Sequence, residues 1–104
     1  MNLSEFGRFA DPALLILISL ADGAKHGYAM MEDIAQLSGI RLGPGTLYAA
    51  LSRLEERALI EALPAEDRRR PYQLTSEGKV FLQEQLVRWH RLTGAGLERL
   101  SAQS

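Results

Sequence analysis

The chain has 104 residues, 46% hydrophobic and 24% charged, with a formal net charge of −1 and no cysteine. This is the chemistry of one ordinary globular domain with a single, modest core. It excludes disulfides, thiolate zinc sites and a cysteine nucleophile, and suits a reducing interior. The near-neutral sum argues mildly against nucleic-acid binding, yet phosphate affinity follows local density, and Arg68, Arg69 and Arg70 stand together.

Residues 1–10 carry Leu3, Phe6 and Phe9 at helix-like spacing, which fits a short N-terminal helix or an arm folded onto a partner subunit. Asp11-Pro12 then starts a helix, with Asp as N-cap and Pro at the first helical position. This helix is expected to run to about Leu20 and to be buried on several sides, because LLILISL is apolar nearly all round. The longest apolar run, Ala13 to Ile18, is too short to cross a bilayer, and no basic segment precedes it as in a signal peptide. No membrane partner is expected, and the cytoplasm is the expected location.

His26-Gly27-Tyr28 opens a second helix with Met30, Ile34 and Leu37 as its buried stripe, Met31 alongside and Gly39 as its left-handed stop. Tyr28 reads as a core ring with a polar tip. A third helix starts at Gly43 as N-cap and Pro44 at the first position, with Leu47, Leu51, Leu54 and Ala58 on one stripe. Its other face holds Gly45, Ala49, Ser52, Arg53 and Glu56, flanked by Thr46 and Tyr48. Small residues there let a partner's backbone come close, while hydroxyls and an arginine can read or clamp a nucleic acid. Two short helices joined by a glycine-containing turn form a helix-turn-helix.

After Leu59 the pattern alternates. Ile60 and Ala62, then Tyr72 and Leu74, predict two antiparallel strands around the polar loop PAEDRRRP. A hairpin with a cationic tip after a candidate recognition helix is the layout of a winged helix, and Arg68, Arg69 and Arg70 are its expected phosphate contacts. Thr75 or Ser76 caps a last helix, with Glu77 in its first turn. That helix places Leu82, Leu86, Trp89 and Thr93 in one row, with Phe81, Val87 and Leu92 beside them and Leu97 and Leu100 continuing. So much apolar surface predicts a subunit interface. Gly94 and Gly96 either break the helix, each costing about 1 kcal/mol, or let two helices pack closely.

No enzyme is expected. The two histidines, His26 and His90, are far apart and lack metal-ligand spacing, so neither a metal nor a cofactor is implied. The GPGT run lacks the GK[ST] ending of a phosphate loop, and no base stands beside a nucleophile.

The order and spacing of these pieces resemble the PadR-like winged-helix transcription regulators, in the smaller subfamily with one main C-terminal helix. The matching residues are Leu14 to Leu20, His26-Gly27-Tyr28, Gly45-Thr46-Leu47-Tyr48, Leu51, Arg53-Leu54-Glu55, Leu59-Ile60, Arg69-Arg70, Tyr72, Leu74-Thr75, Gly78 and Trp89. The likeness covers about residues 12 to 92. It implies a mainly α fold with a small β-hairpin. Residues 1–78 would form the winged helix-turn-helix with its N-terminal helix or arm, and 79–104 the dimerisation helix.

The resemblance further implies a homodimeric, double-stranded-DNA-binding repressor. Thr46, Tyr48, Ser52 and Arg53 would face the major groove together with the small Gly45 and Ala49, and Tyr72 would join Arg68, Arg69 and Arg70 at the wing. The dimer would be built from Phe81, Leu82, Leu86, Trp89, Leu92, Thr93, Leu97 and Leu100. In some members a Trp at the position of Trp89 stacks planar hydrophobic effectors against its symmetry mate; here the other reading is that Trp89 fills the dimer core. Many members have Gly where this chain has Ala58, so Ala58 is expected in ordinary helical geometry. The competing class is a winged-helix adaptor that binds protein instead of DNA.

Overall fold

The computed structural model describes residues 11–103; the reading of Leu3, Phe6 and Phe9 lies outside the described residues. Helix α1 spans Pro12–Ser19, and Asp11 caps it by accepting the Ala13 N–H at 2.9 Å. Its Leu14, Leu15, Ile16 and Leu17 are all buried, as an all-round apolar helix requires, and a short 3-10 turn at Leu20–Asp22 closes it. Ser19 is the buried polar residue of the core; its hydroxyl donates to Asp33 Oδ2 at 2.6 Å. Lys25 bonds the Ser19 carbonyl and pairs with Asp22, and this hydrogen bond and charge hold the Asp22 carboxyl below the usual carboxylate range.

Strand β1, Lys25–His26, leads straight into α2, Gly27–Ser38. Met30 and Ile34 of α2 are buried, and Gly39 ends the helix in the left-handed region with its N–H on the Ala35 carbonyl at 2.9 Å. Two expectations for α2 are corrected. Leu37 shares the apolar stripe but sits in the last turn, past the core, and is 62% exposed. Tyr28 is also exposed rather than part of the core, because it lies in the first turn where the helix meets a surface cleft.

Helix α3, Pro44–Glu56, buries Leu47, Ala50, Leu51 and Leu54 against the other helices. Ala58 does not continue it. The Ala58 N–H donates to the Glu55 carbonyl at 2.9 Å and the Leu59 N–H to the Leu54 carbonyl at 3.0 Å, the paired bonds of a Schellman stop. Ala58 therefore takes the left-handed position, φ 59°, that glycine would usually fill, which corrects the expectation of helical geometry. Since Ala58 is exposed, no packing is lost on truncating it. Ala58→Gly is expected to stabilise the fold by about 0.5–1 kcal/mol, read as a raised urea midpoint with an unchanged slope.

Strands β2, Ile60–Ala62, and β3, Pro71–Leu74, pair as predicted, with Ile60 opposite Leu74 and Ala62 opposite Tyr72. The sheet has a third member that the pattern did not announce. β1 pairs antiparallel with β3, Lys25 opposite Tyr72 and His26 opposite Pro71, giving the order β1-β3-β2.

Thr75 is the cap of α4, Ser76–Gln103: its hydroxyl accepts the Gly78 N–H at 2.9 Å and donates to the Ala58 carbonyl at 2.6 Å. The helix is continuous through Gly94 and Gly96. Its fully buried residues are at its start, Gly78 and Leu82, with Trp89 packed against the core further along. The Cα radius of gyration, 15.3 Å, exceeds the roughly 13 Å of a compact chain this long, because α4 runs out past the core.

Candidate nucleic-acid interface

The exposed side of α3 is built by its buried side. With Leu47, Ala50, Leu51 and Leu54 turned inward, Gly45, Thr46, Tyr48, Ala49, Ser52 and Arg53 are all left on the surface. No atom lies within 4 Å of where a side chain on Gly43 or Gly45 would begin, so the start of this helix is open to a close-approaching partner. Among the described residues Thr46, Ser52 and Arg53 make no side-chain hydrogen bond or ion pair. Their donors are uncommitted.

The wing is a tight hairpin. Glu66 and Arg69 exchange backbone hydrogen bonds at 2.7 and 2.8 Å around a two-residue turn, in which Asp67 and Arg68 have φ of 46° and 68°. Positive φ at both central residues is the type I′ geometry that matches strand twist. It puts Arg68 at the very tip. Arg68, Arg69 and Arg70 are exposed, and Arg68 and Arg70 have no ion-pair partner among the described residues.

Wing, α3 and the start of α2 meet in one cleft, lined by Tyr48, the three arginines, Tyr72 and the His26–Tyr28 run. Arg69 comes within 3.3 Å of His26 Nε2. Gly27 is buried beneath Tyr48: a Cβ there would stand 2.6 Å from the Tyr48 hydroxyl, so any larger residue would have to push the Tyr48 side chain aside. Tyr72 is 9% exposed and belongs to the core, as the alternation on β3 predicts, and it also lines this cleft. Burial pushes the Tyr72 phenol above the usual tyrosine range, the Glu55 carboxylate and Tyr48 adding to this and Arg70 opposing it. His26, Gly27 and Tyr28 were not among the expected site residues. The pairing of β1 with β3 is what carries them to the wing.

The expected interface on α4 divides. Leu82 is buried in its own chain's core, so it is not available to a partner. Phe81, Leu86, Leu92, Thr93, Leu97 and Leu100 are exposed, the outer leucines 92, 97 and 100 at 66%, 67% and 71%. Trp89 is partly buried and leans on the core beside Leu14, Leu17 and Phe81. Among the described residues no cluster of His, Asp or Glu is placed to hold a metal ion, and no helix is long and apolar enough to cross a membrane.

Comparison with known proteins agrees with this geometry. The model of the transcriptional regulator PadR-like family matches residues 16–84. The chain is 45% identical over 91 residues to an uncharacterized 37.1 kDa protein in transposon TN4556 of Streptomyces fradiae, covering 88% of this chain but only 26% of that protein. It is 38% identical over 85 residues to the transcriptional regulator Rv3488 of Mycobacterium tuberculosis, covering 79% of this chain and 78% of the other. A PadR family transcription regulator from Clostridium difficile R20291 has the same fold, with a TM-score of 0.76 at 29% identity over 86% of this chain and 97% of that one.

Proposed function

The chain belongs to the PadR-like family of transcriptional regulators, and from that premise we propose that it binds double-stranded DNA sequence-specifically, as a homodimer, and represses the promoters it covers. Members of the family are regulators, not enzymes. One observation carries the proposal: α3 leaves Thr46, Ser52 and Arg53 exposed and uncommitted, and its Tyr48 lines one cleft with the three arginines of the wing. On this reading residues 1–78 engage DNA and 79–104 join the subunits, setting two α3 helices about one DNA turn, roughly 34 Å, apart. The side of α3 reads base edges in the major groove, and the wing holds phosphates. The proposal includes no inducer. Trp89 leans on its own chain's core, which supports a packing role over the stacking of a planar ligand.

A gel shift on the DNA upstream of its own gene, at moderate salt, is the first test. A shift that weakens steeply with salt supports the regulator; silence on all DNA, with a stable protein partner captured instead, supports the adaptor. Two substitutions separate the roles within the site. Arg53→Ala is expected to weaken cognate binding by about 1–3 kcal/mol while leaving random DNA nearly unchanged. Arg69→Ala is expected to weaken both and to flatten the slope of log affinity against log salt by about 0.9. Equal losses on both DNAs for Arg53→Ala would remove it from the base-reading face.

A further inference from the structure

We infer that the outer face of α4, carrying Val80, Gln83, Glu84, Val87, Arg91 and Ala95, is a second self-association surface, whose occupant is the same face of another copy laid antiparallel. The inference rests on the homodimer proposed above, to which it adds a contact between one dimer and the next.

Helical geometry sets this face apart. Leu82 is buried and Trp89 leans on the core, while Val80 and Val87 each stand two residues earlier, about 200° round the helix. Neither the chain's own core nor the row through Leu82, Trp89, Thr93 and Leu100 reaches that side. Val80 and Val87 are nevertheless exposed apolar residues one heptad apart, on a shallow groove that continues to Ala95.

Charge decides what covers it. Glu84 and Arg91 share the groove, also one heptad apart and opposite in sign, and so does Arg88. Among the described residues none of the three forms an ion pair within the chain. A two-fold axis between Val87 and Arg88 lays each Glu84 opposite the other copy's Arg91, with that copy's Arg88 one turn away. The same axis sets Val80 against Ala95, large against small, and Val87 against the aliphatic stem of Arg88. A parallel pair would instead stack Glu84 on Glu84 and Arg91 on Arg91. Glu77 and Glu98 meet at the two ends of the antiparallel pairing with like charge, so the contact is weak and improves when one of those signs is changed.

Sedimentation of the full chain at up to submillimolar concentration tests this. The wild type is expected to form species heavier than a dimer, reversibly and less so at high salt. Arg91→Glu and Glu84→Arg should each weaken that step about tenfold, and the two together should restore it, because the exchanged charges meet again. Glu98→Lys should strengthen it by relieving Glu77. All three substituted positions are exposed, so unfolding midpoints should match the wild type. Should Arg91→Glu instead turn a dimer into a monomer while Leu97→Glu with Leu100→Glu does not, the face would stand as the dimer interface itself, and the reading of the Leu97–Leu100 row would fall. A wild type that never exceeds a dimer and is unchanged by Arg91→Glu would overturn the inference. So would larger species untouched by either single reversal, or losses that the double variant does not recover.

Discussion

Replacing Leu97 and Leu100 together by Glu is expected to turn the protein from a dimer into a monomer at micromolar concentration. Both leucines stand on the outer half of α4, 67% and 71% exposed, one turn apart on the row that contains Trp89 and Thr93. Burying each against a partner is worth about 1.5–3 kcal/mol, and a symmetric pair of helices buries four. The substitutions leave the core alone, because α4 enters it through Gly78 and Leu82, several turns away. The unfolding midpoint extrapolated to low protein concentration should therefore change little. Affinity for cognate DNA should fall by about 10²–10⁴, since the second half-site is no longer held at millimolar effective concentration. Sedimentation of both proteins decides this, and a wild-type protein already monomeric would remove the proposed assembly.

What could be read ahead of the structure was what is local. Asp11-Pro12, Gly39 and Gly43-Pro44 mark helix ends through their own backbone chemistry, and the stripes on α2 and α3 are periodic enough to name the buried face. What could not be read depends on partners distant in sequence. Lys25–His26 is too short to show an alternating pattern and is a strand only because β3 lies beside it. Without that pairing, nothing in the chain announces that His26-Gly27-Tyr28 and the arginines of the wing share a cleft. Ala58 misleads for another reason: alanine prefers the helix, but the two stop bonds, Leu59 on Leu54 and Ala58 on Glu55, outweigh that preference. On α4 the period shows which residues share a face. It does not show that Leu82 is covered by its own chain while Leu97 is not.

Gly78→Ala is expected to be the most damaging small substitution in the chain. A Cβ at Gly78 would lie 1.9 Å from the Leu59 carbonyl oxygen and 2.9 Å from its carbon, distances no real contact tolerates. The obstacle cannot step aside. Leu59 is tied by its N–H to Leu54 at 3.0 Å and by its oxygen to the Thr75 N–H at 3.1 Å, while the Thr75 hydroxyl bridges the Ala58 carbonyl and the Gly78 N–H. Relief therefore requires α4 to tilt off the end of α3, which opens the Thr75 cap and lifts Leu82 from the core. The expected loss is about 3 kcal/mol, a large share of the roughly 5–15 kcal/mol that stabilises a domain. Gly94→Ala is the control. Nothing stands within 4 Å of its added methyl, and alanine should gain close to 1 kcal/mol of helix propensity. Urea titrations of the two variants should thus move in opposite directions from the wild type. Matching midpoints would mean that α4 rests loosely on Leu59, and the proposed dimer would then lack a rigid joint between α4 and the end of α3.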